Sequence, residues 1–247
     1  PVQAKKINAP SDISSTKNWV ATYYKEFDVP KTWKDYKAYL NLQAKSAYYV
    51  WVNQEYVGYS EDSRDLSEFD LTKHLKIGKK NNIVIQVVSV SDGTMLESQY
   101  ARAFNGITSD VFILLKPIAN VLDYKILANY NAANKFGTLT LDINVFNELK
   151  KGQYYIEFEI WDPKGHEVDK MGRWTVFDKK NELTMKMERE IANVLPWTAE
   201  TPNMYTLVIK MRDQKMNLVE TVGCRFGFRT IEVKDGVLTV NGTPVTL

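Results

Sequence analysis

Carboxylates are the most numerous side chains with catalytic potential in this chain, which holds 30 Asp and Glu among 247 residues. Two carboxyl groups about 5–5.5 Å apart can cleave a glycosidic bond, one as acid/base and one as nucleophile. The acids within residues 61–68 lie in a polar, turn-rich segment, which is typical of solvated surface. Glu188 and Glu190 share one face of a predicted strand, where cross-strand ion pairs are expected. The sequence therefore predicts no catalytic carboxylate pair.

Other reactive side chains are scarce. His74 and His166 both lie in turn-like contexts and are predicted to be surface imidazoles. Two histidines and one cysteine give neither a credible Ser-His-Asp arrangement nor a zinc site, and no GxxxxGK[ST] loop is present to cradle a phosphate. Cys224 stands among alternating strand residues and is predicted to be a buried structural thiol. We expect no metal site in this chain.

Composition and charge exclude several classes of protein. The 32 basic and 30 acidic side chains are spread along the chain and leave a net charge of +2, so no basic stripe indicates nucleic-acid binding. No apolar run approaches the roughly 18–20 residues that span a bilayer. The lone cysteine excludes a disulfide scaffold but leaves bacterial cytoplasm and periplasm both open. The first residues, PVQAKK, lack an initiator Met and an apolar signal core, which suggests a processed end.

The elements that must position these residues are short strands. Val, Ile, Tyr and Trp alternate with polar residues, and Asp, Asn, Gly and Lys clusters separate the runs. The pattern predicts an all-β chain with two sandwiches, the first a sandwich or jelly roll and the second immunoglobulin-like, separated near Pro117. The turn at residues 162–165 (DPKG) has hairpin composition. The predicted strands are 24–29, 38–42, 48–52, 83–89, 111–115, 122–130, 138–146, 154–161, 183–191, 205–212 and 218–226.

The aromatic residues between 48 and 59 have two interpretations. Alternation puts Tyr49 and Trp51 on the strand face opposite Val50 and Val52. Because large aromatics fill sandwich cores, core packing is the favoured prediction for Trp51. The alternative is that the exposed tyrosines form a stacking platform for pyranose rings. The tyrosines concerned are Tyr48, Tyr49, Tyr56 and Tyr59.

Several motifs, in this order and spacing, resemble the N-terminal region of the β-galactosidases of glycoside hydrolase family 2. In the first half these are 49–53 (YVWVN), 57–60 (VGYS), 68–72 (EFDLT), 91–93 (SDG), 105–107 (NGI) and 110–111 (DV). In the second half they are 196–207 (PWTAETPNMYTL), 227–229 (GFR), 235–236 (DG), 240–242 (VNG) and 244–245 (PV). The resemblance covers nearly everything from about Asn18 to the end.

The resemblance implies a domain order. Residues 1–117 would form the jelly-roll sugar-binding domain, 118–230 the immunoglobulin-like sandwich, and 231–247 the link into a (β/α)₈ catalytic barrel. The catalytic glutamates of the family lie in that barrel, so this chain alone is predicted to be inactive. The parent would be a retaining enzyme that cleaves terminal β-galactosides. Two alternatives remain: a free-standing carbohydrate-binding or adhesion module, or the same fragment of a β-glucuronidase or β-mannosidase.

The resemblance also implies two substrate contacts. Asn18 occupies the place of a family asparagine that reaches toward the sugar, and a carboxamide both donates to and accepts from hydroxyls. Tyr100 stands where the family has an aspartate that touches the sugar and a sodium ion. A neutral phenol is a poor ligand for a hard cation, so a sodium site here is doubtful. The resemblance implies a carbohydrate partner shared with the barrel. For the parent it implies a homo-oligomer and the use of Mg²⁺ or Na⁺.

Overall fold

The structure is a computed structural model that describes residues 18–97, 106–149, 151–179 and 181–245. The chain divides into two compact units, Pro1–Lys116 and Pro117–Leu247. Both are built from antiparallel strands, which confirms the predicted all-β class. In the described part of the chain, no helix is long and apolar enough to cross a membrane.

The strands of the first unit are β1 Val20–Asp28, β2 Tyr36–Leu42, β3 Ala44–Lys45, β4 Tyr48–Val52, β5 Glu55–Ser60, β6 Ser67–Asp70, β7 Lys80–Val88, β8 Gly106–Ile107 and β9 Phe112–Pro117. They pair into two larger sheets and one short ribbon. One sheet has the order β1-β7-β4-β5 and the other the order β6-β2-β9, while β3 pairs with β8. A 3₁₀ turn over Lys31–Asp35 and the short helix α1, Asp92–Glu97, interrupt the strands.

Strict alternation along β4 decides what the first unit buries. Tyr48, Val50 and Val52 are fully buried in its core, whereas Tyr49 and Trp51 point to the other face of the sheet. The core prediction for Trp51 is therefore wrong. The alternation predicted for this strand is present, but the buried face is the one that carries Tyr48, Val50 and Val52. Tyr48 fills the inside instead, where its hydroxyl donates to the carbonyl oxygen of Leu42 at 3.5 Å.

The strands of the second unit are β10 Ala119–Asn131, β11 Phe136–Asn147, β12 Gly152–Trp161, β13 Glu167–Phe177, β14 Asn181–Ile191, β15 Tyr205–Arg212, β16 Leu218–Phe226, β17 Ile231–Lys234, β18 Val237–Val240 and β19 Thr243–Pro244. They form sheets of order β10-β11-β14 and β13-β12-β15-β16, followed by a small sheet, β17-β18-β19. The core is built from the inward residues of both large sheets, in which Leu141, Ile156 and Ile209 are fully buried.

The predicted turn at 162–165 is confirmed as the hairpin between β12 and β13. The Asp162 amide donates to the His166 carbonyl oxygen at 2.8 Å, and Gly165 takes a φ of 87°, which a glycine adopts without a β-carbon clash. Strand β13 itself is absent from the predicted strands. Lys, Asp, Gly and Arg within Glu167–Phe177 weaken the period-2 signal, and the strand forms because its partner β12 supplies a complete ladder.

Candidate functional site

Asn18 fastens the start of β1 to the end of β7. Its Nδ2 donates to the Val90 carbonyl oxygen at 2.9 Å, and its Oδ1 accepts from the Val90 amide at 3.0 Å. The Ser89 hydroxyl donates to the same Oδ1 at 3.0 Å. The side chain thus extends the β1–β7 ladder by one step. Both acceptor positions of the carboxamide oxygen are occupied, and among the described residues only the Val90 carbonyl oxygen accepts from Nδ2, so its second hydrogen suits a sugar hydroxyl.

Helix α1 begins two residues after this ladder. The Ser91 hydroxyl accepts from the Thr94 amide at 3.1 Å, which caps one of the unpaired donors at the helix start. Gly93 packs directly against the loop after β5: a β-carbon on residue 93 would lie 2.9 Å from the Glu61 carbonyl oxygen. The SDG motif therefore has a local role, with Ser as cap and Gly as the point of close approach.

The loop after β5 is held rigidly. The Asp62 carboxylate accepts from the amides of Arg64 and Asp65 at 2.9 and 3.0 Å, which folds the loop into a tight turn. The Gln43 side-chain Nε2 donates to the Arg64 carbonyl oxygen, and the buried Ser63 hydroxyl accepts from the Ser46 backbone amide at 3.2 Å. The Asp62 carboxylate thus holds local structure, and its pKa lies below the usual value because of those backbone hydrogen bonds.

Beside this loop, four aromatic side chains form a contiguous surface that we call the aromatic face, made of Tyr49, Trp51, Tyr56 and Tyr59. The ring centroids of Tyr49 and Tyr59 lie 4.8 Å apart, and those of Tyr49 and Trp51 lie 5.9 Å apart. The Trp51 and Tyr56 centroids also lie 5.9 Å apart, at an interplanar angle of 61°. Tyr56 is 55% exposed and Tyr59 is 41% exposed. The rings pack on one another, Trp51 is half-buried, and the three tyrosines remain exposed.

An acidic end borders the aromatic face. Burial, with the Glu61 carboxylate as the next cause, raises the pKa of Tyr59 to about 12. Its phenol is therefore protonated at neutral pH and serves as a hydrogen-bond donor toward Glu61. Asp92 is near enough to add to the same effect. A hydroxyl-rich ligand lying on the rings would meet carboxylate acceptors at this end.

The second unit holds two buried acids, Glu157 and Glu159, on one strand face. Lys170 and Lys210 contact Glu159 Oε1 at 2.9 and 2.7 Å, and Arg212 contacts Glu157 Oε1 at 3.0 Å. Burial would raise the pKa of Glu159, but the hydrogen bonds from both lysines outweigh it and lower this pKa to about 2. A general acid needs a raised pKa near the working pH, so this cluster stabilises the sheet instead.

The remaining candidates also have structural partners. His74 Nδ1 lies 3.0 Å from Glu55 Oε2, and His166 Nδ1 lies 3.2 Å from Asp162 Oδ2. Glu188 pairs with Lys186 of its own strand at 3.0 Å, rather than across the sheet as predicted. Within the described ranges, no group of three His, Cys, Asp or Glu could hold a metal ion.

Of the two predicted substrate contacts, the structure places one. Asn18 lies at the edge of the β1–β7 pair, as described above, while Tyr100 lies outside the described residues. Both stay predictions. Glu61 is two residues from Tyr59 in the sequence, whereas Asp92 belongs to α1 and is more than 30 residues away. Proximity of this kind arises from sheet order, which no local pattern contains.

Two family models divide the chain between them. Residues 3–117 match the model described as "Glycosyl hydrolases family 2, sugar binding domain", and residues 119–229 match "Glycosyl hydrolases family 2". The chain belongs to glycoside hydrolase family 2. The resemblance stated from the motifs is thereby confirmed.

Curated relatives of this family 2 chain include several β-galactosidases. The β-galactosidase of Priestia megaterium is 33% identical over 233 residues, covering 93% of this chain and 22% of its own length. That of Halalkalibacterium halodurans is 33% identical over 237 residues, covering 94% and 22%. The chain thus spans about a fifth of the length of the relatives it matches.

Solved structures share the fold. A Bacteroides uniformis β-glucuronidase superposes with a TM-score of 0.83 at 20% identity, covering 92% of this chain and 28% of that one. A putative β-galactosidase from Bacteroides fragilis gives a TM-score of 0.81 at 17% identity, covering 92% and 35%. At these identities the likeness establishes the β-sandwich fold of the family 2 chain and nothing about its sugar.

Proposed function

We propose that this chain is the N-terminal, non-catalytic part of a β-galactosidase-like retaining glycoside hydrolase that cleaves terminal β-galactosides. The observation that carries the proposal is the 33% identity to β-galactosidases over 93% of the chain, against only 22% of the relative's length. Most of such an enzyme lies outside the part matched here, which leaves room for a catalytic domain.

The chemistry of the described residues supports the non-catalytic role. Among the described residues, every carboxyl group whose pKa is clearly displaced has a pKa below its usual value. Asp62, Glu159 and Asp169 are examples. Hydrogen bonds and neighbouring cations cause these shifts. A glycosidase acid requires the opposite displacement, so none of these groups suits proton donation to a leaving group.

The chain's own contribution would be to position and support. Among the described residues, one Nδ2 hydrogen of Asn18 has no partner at the end of the β1–β7 ladder, which suits a single contact to a sugar hydroxyl shared with the barrel. We propose no cofactor for this chain, and any Mg²⁺ or Na⁺ of the parent would be held by other parts of it. Homo-oligomerisation of the parent remains part of the same proposal.

The test compares the isolated chain with the native gene product from its source cell. The isolated chain should not hydrolyse chromogenic β-galactosides or β-glucuronides. The native product should be several-fold heavier than 28.5 kDa and should hydrolyse the β-galactoside preferentially. A native product of about 28.5 kDa without activity would contradict the proposal and favour a free-standing binding module. Preference for the β-glucuronide would contradict the β-galactosidase assignment and favour a β-glucuronidase as the parent.

A further inference from the structure

The second unit carries an open groove of about 500 Å³ bordered by β10, β16 and the start of β17. Its lining is largely apolar and includes Leu127, Met204 and Ile231. Leu127 and Ile231 are exposed although both are aliphatic. Val233, two residues further along the same face of β17, is 71% exposed. The apolar surface thus continues from the groove onto the β17–β18 hairpin.

Two arginines without an acidic partner also line the groove. Within the described ranges, neither Arg225 nor Arg229 forms an ion pair with a carboxylate. Elsewhere in the same unit Arg212 contacts the Glu157 carboxylate at 3.0 Å. A guanidinium recognises a carboxylate through two parallel hydrogen bonds, which makes it a strong and geometrically specific partner. The groove therefore suits an occupant that carries negative charge.

One wall of the groove is built from three of the sequence motifs and is held in place. The Arg229 guanidinium carbon lies 4.5 Å from the centroid of the Trp197 ring. The Trp197 amide donates to the Phe228 carbonyl oxygen at 2.9 Å, and Asn241 Nδ2 donates to the Trp197 carbonyl oxygen at 3.0 Å. Gly227 allows this approach, since a β-carbon there would lie 2.6 Å from Trp197 Cβ. A wall fixed in this way lowers the entropic cost of binding.

We propose that the groove receives an acidic and apolar segment of the remaining part of the parent enzyme, outside residues 1–247. A carboxylate of that segment would pair with Arg225 and Arg229, and a neighbouring apolar side chain would fill the space between Met204 and Ile231. The inference rests on the proposed function, because it requires a parent longer than this chain. The match to the second family model ends at residue 229, beside the groove, and the chain covers only 22% of a β-galactosidase relative.

The composition of the groove favours this occupant over three others. Arg, Met and aromatic side chains are enriched at protein interfaces. Exposed aliphatic residues such as Leu127 and Ile231 offer a neutral sugar neither flat rings for stacking nor hydrogen-bond partners. A free anion would satisfy the arginines but would leave that aliphatic surface exposed. In a two-fold contact between copies the same patch faces itself, so Arg225 and Arg229 would oppose their own equivalents.

The test is hydroxyl-radical footprinting of the isolated chain and of the full-length parent, read at single methionines by mass spectrometry. Oxidation of Met204 should be roughly fivefold lower in the parent, because docking removes its thioether from solvent. The matched control is Met216, an exposed methionine between β15 and β16, which should be oxidised equally in both proteins.

Charge reversal in the parent then tests the arginines. Arg225→Glu should return Met204 oxidation to the level of the isolated chain, and Arg225→Ala should return it part of the way. The control is Arg173→Glu, at an exposed position on β13, which should leave Met204 protected. Unchanged oxidation of Met216 would establish that each variant is folded.

Three results would overturn the inference and leave the hydrolytic proposal intact. The first is equal oxidation of Met204 in the parent and in the isolated chain. The second is protection of Met204 that both Arg225→Glu and Arg225→Ala retain in full. The third is an isolated chain that self-associates in sedimentation and that Arg225→Glu dissociates, which would assign the groove to a second copy. A native product of about 28.5 kDa would instead contradict the proposed function itself, and with it this occupant.

Discussion

Gly93 lies against the Glu61 carbonyl oxygen so closely that a β-carbon at residue 93 would stand 2.9 Å from it. This contact joins helix α1 to the loop that carries Glu61 and Asp62, and so sets the acidic border of the aromatic face. A backbone oxygen in a tightly hydrogen-bonded turn has little freedom to retreat. The glycine of the SDG motif is therefore explained by close packing.

Gly93→Ala should lower the free energy of unfolding by about 1–2 kcal/mol, because the added carbon displaces either α1 or the 61–65 loop. Hydrogen exchange of the amides in 61–65 and 92–97 should accelerate together. Gly165→Ala is the control, since a β-carbon there meets no atom within 4 Å and only the positive φ is strained. That variant should leave exchange in 61–65 unchanged; unaltered exchange in Gly93→Ala as well would contradict the packing argument.

Asn18→Ala should destabilise the first unit by about 1–2 kcal/mol in urea denaturation, since three hydrogen bonds to Ser89 and Val90 are lost at a partly exposed position. The neighbouring Trp19, with its side chain 79% exposed, supplies the control: Trp19→Ala should change stability by less than about 0.5 kcal/mol. Equal effects of the two substitutions would argue against a fastening role for Asn18.

The stability of the second unit should depend on Glu159 in acid. The folded pKa of about 2 lies below the ordinary value of 4.5, so the contribution of this carboxylate is fully present above pH 4.5 and is lost as the pH falls toward 2. A displacement of this size corresponds to about 3 kcal/mol. Glu159→Gln should therefore destabilise the chain at pH 7 and flatten the decline in stability between pH 4.5 and 2.

The control for this prediction is Glu188→Gln. Glu188 forms an exposed pair with Lys186, and such pairs contribute no more than about 1 kcal/mol. The free energy of unfolding should be measured against pH for the unsubstituted chain, Glu159→Gln and Glu188→Gln. These curves distinguish a buried ionic cluster from an exposed ion pair. If Glu188→Gln and Glu159→Gln showed the same decline in stability between pH 4.5 and 2, the assignment of a strong ionic cluster around Glu159 would be wrong.

Tyr100→Asp tests the predicted change at the family's sodium position, and it has to be made in the full-length parent. A carboxylate there would provide a hard anionic ligand that a neutral phenol does not. We expect the KM for β-galactosides to become dependent on Na⁺ in Tyr100→Asp and to stay independent of it in the native enzyme and in Tyr100→Phe. A sodium-dependent KM in the native enzyme would contradict the prediction.

Much of the fold could be predicted because alternation is a local property. The strands Tyr48–Val52, Tyr205–Arg212 and Leu218–Phe226 have the predicted bounds, and the turn before Gly165 is the predicted hairpin. Trp51 shows the limit of that reading. Period-2 alternation separates two faces but does not identify the buried one when both carry aromatic residues.

The sequence by itself determined the all-β class, the two-part organisation of the strands and, through its motifs, membership of glycoside hydrolase family 2. Only the tertiary structure decided that Trp51 lies outside with Tyr49, Tyr56 and Tyr59, and that Lys170 and Lys210 converge on Glu159. The reason is that strand periodicity and turn chemistry act between near neighbours, whereas faces, rows and ion clusters depend on the order in which distant strands pair.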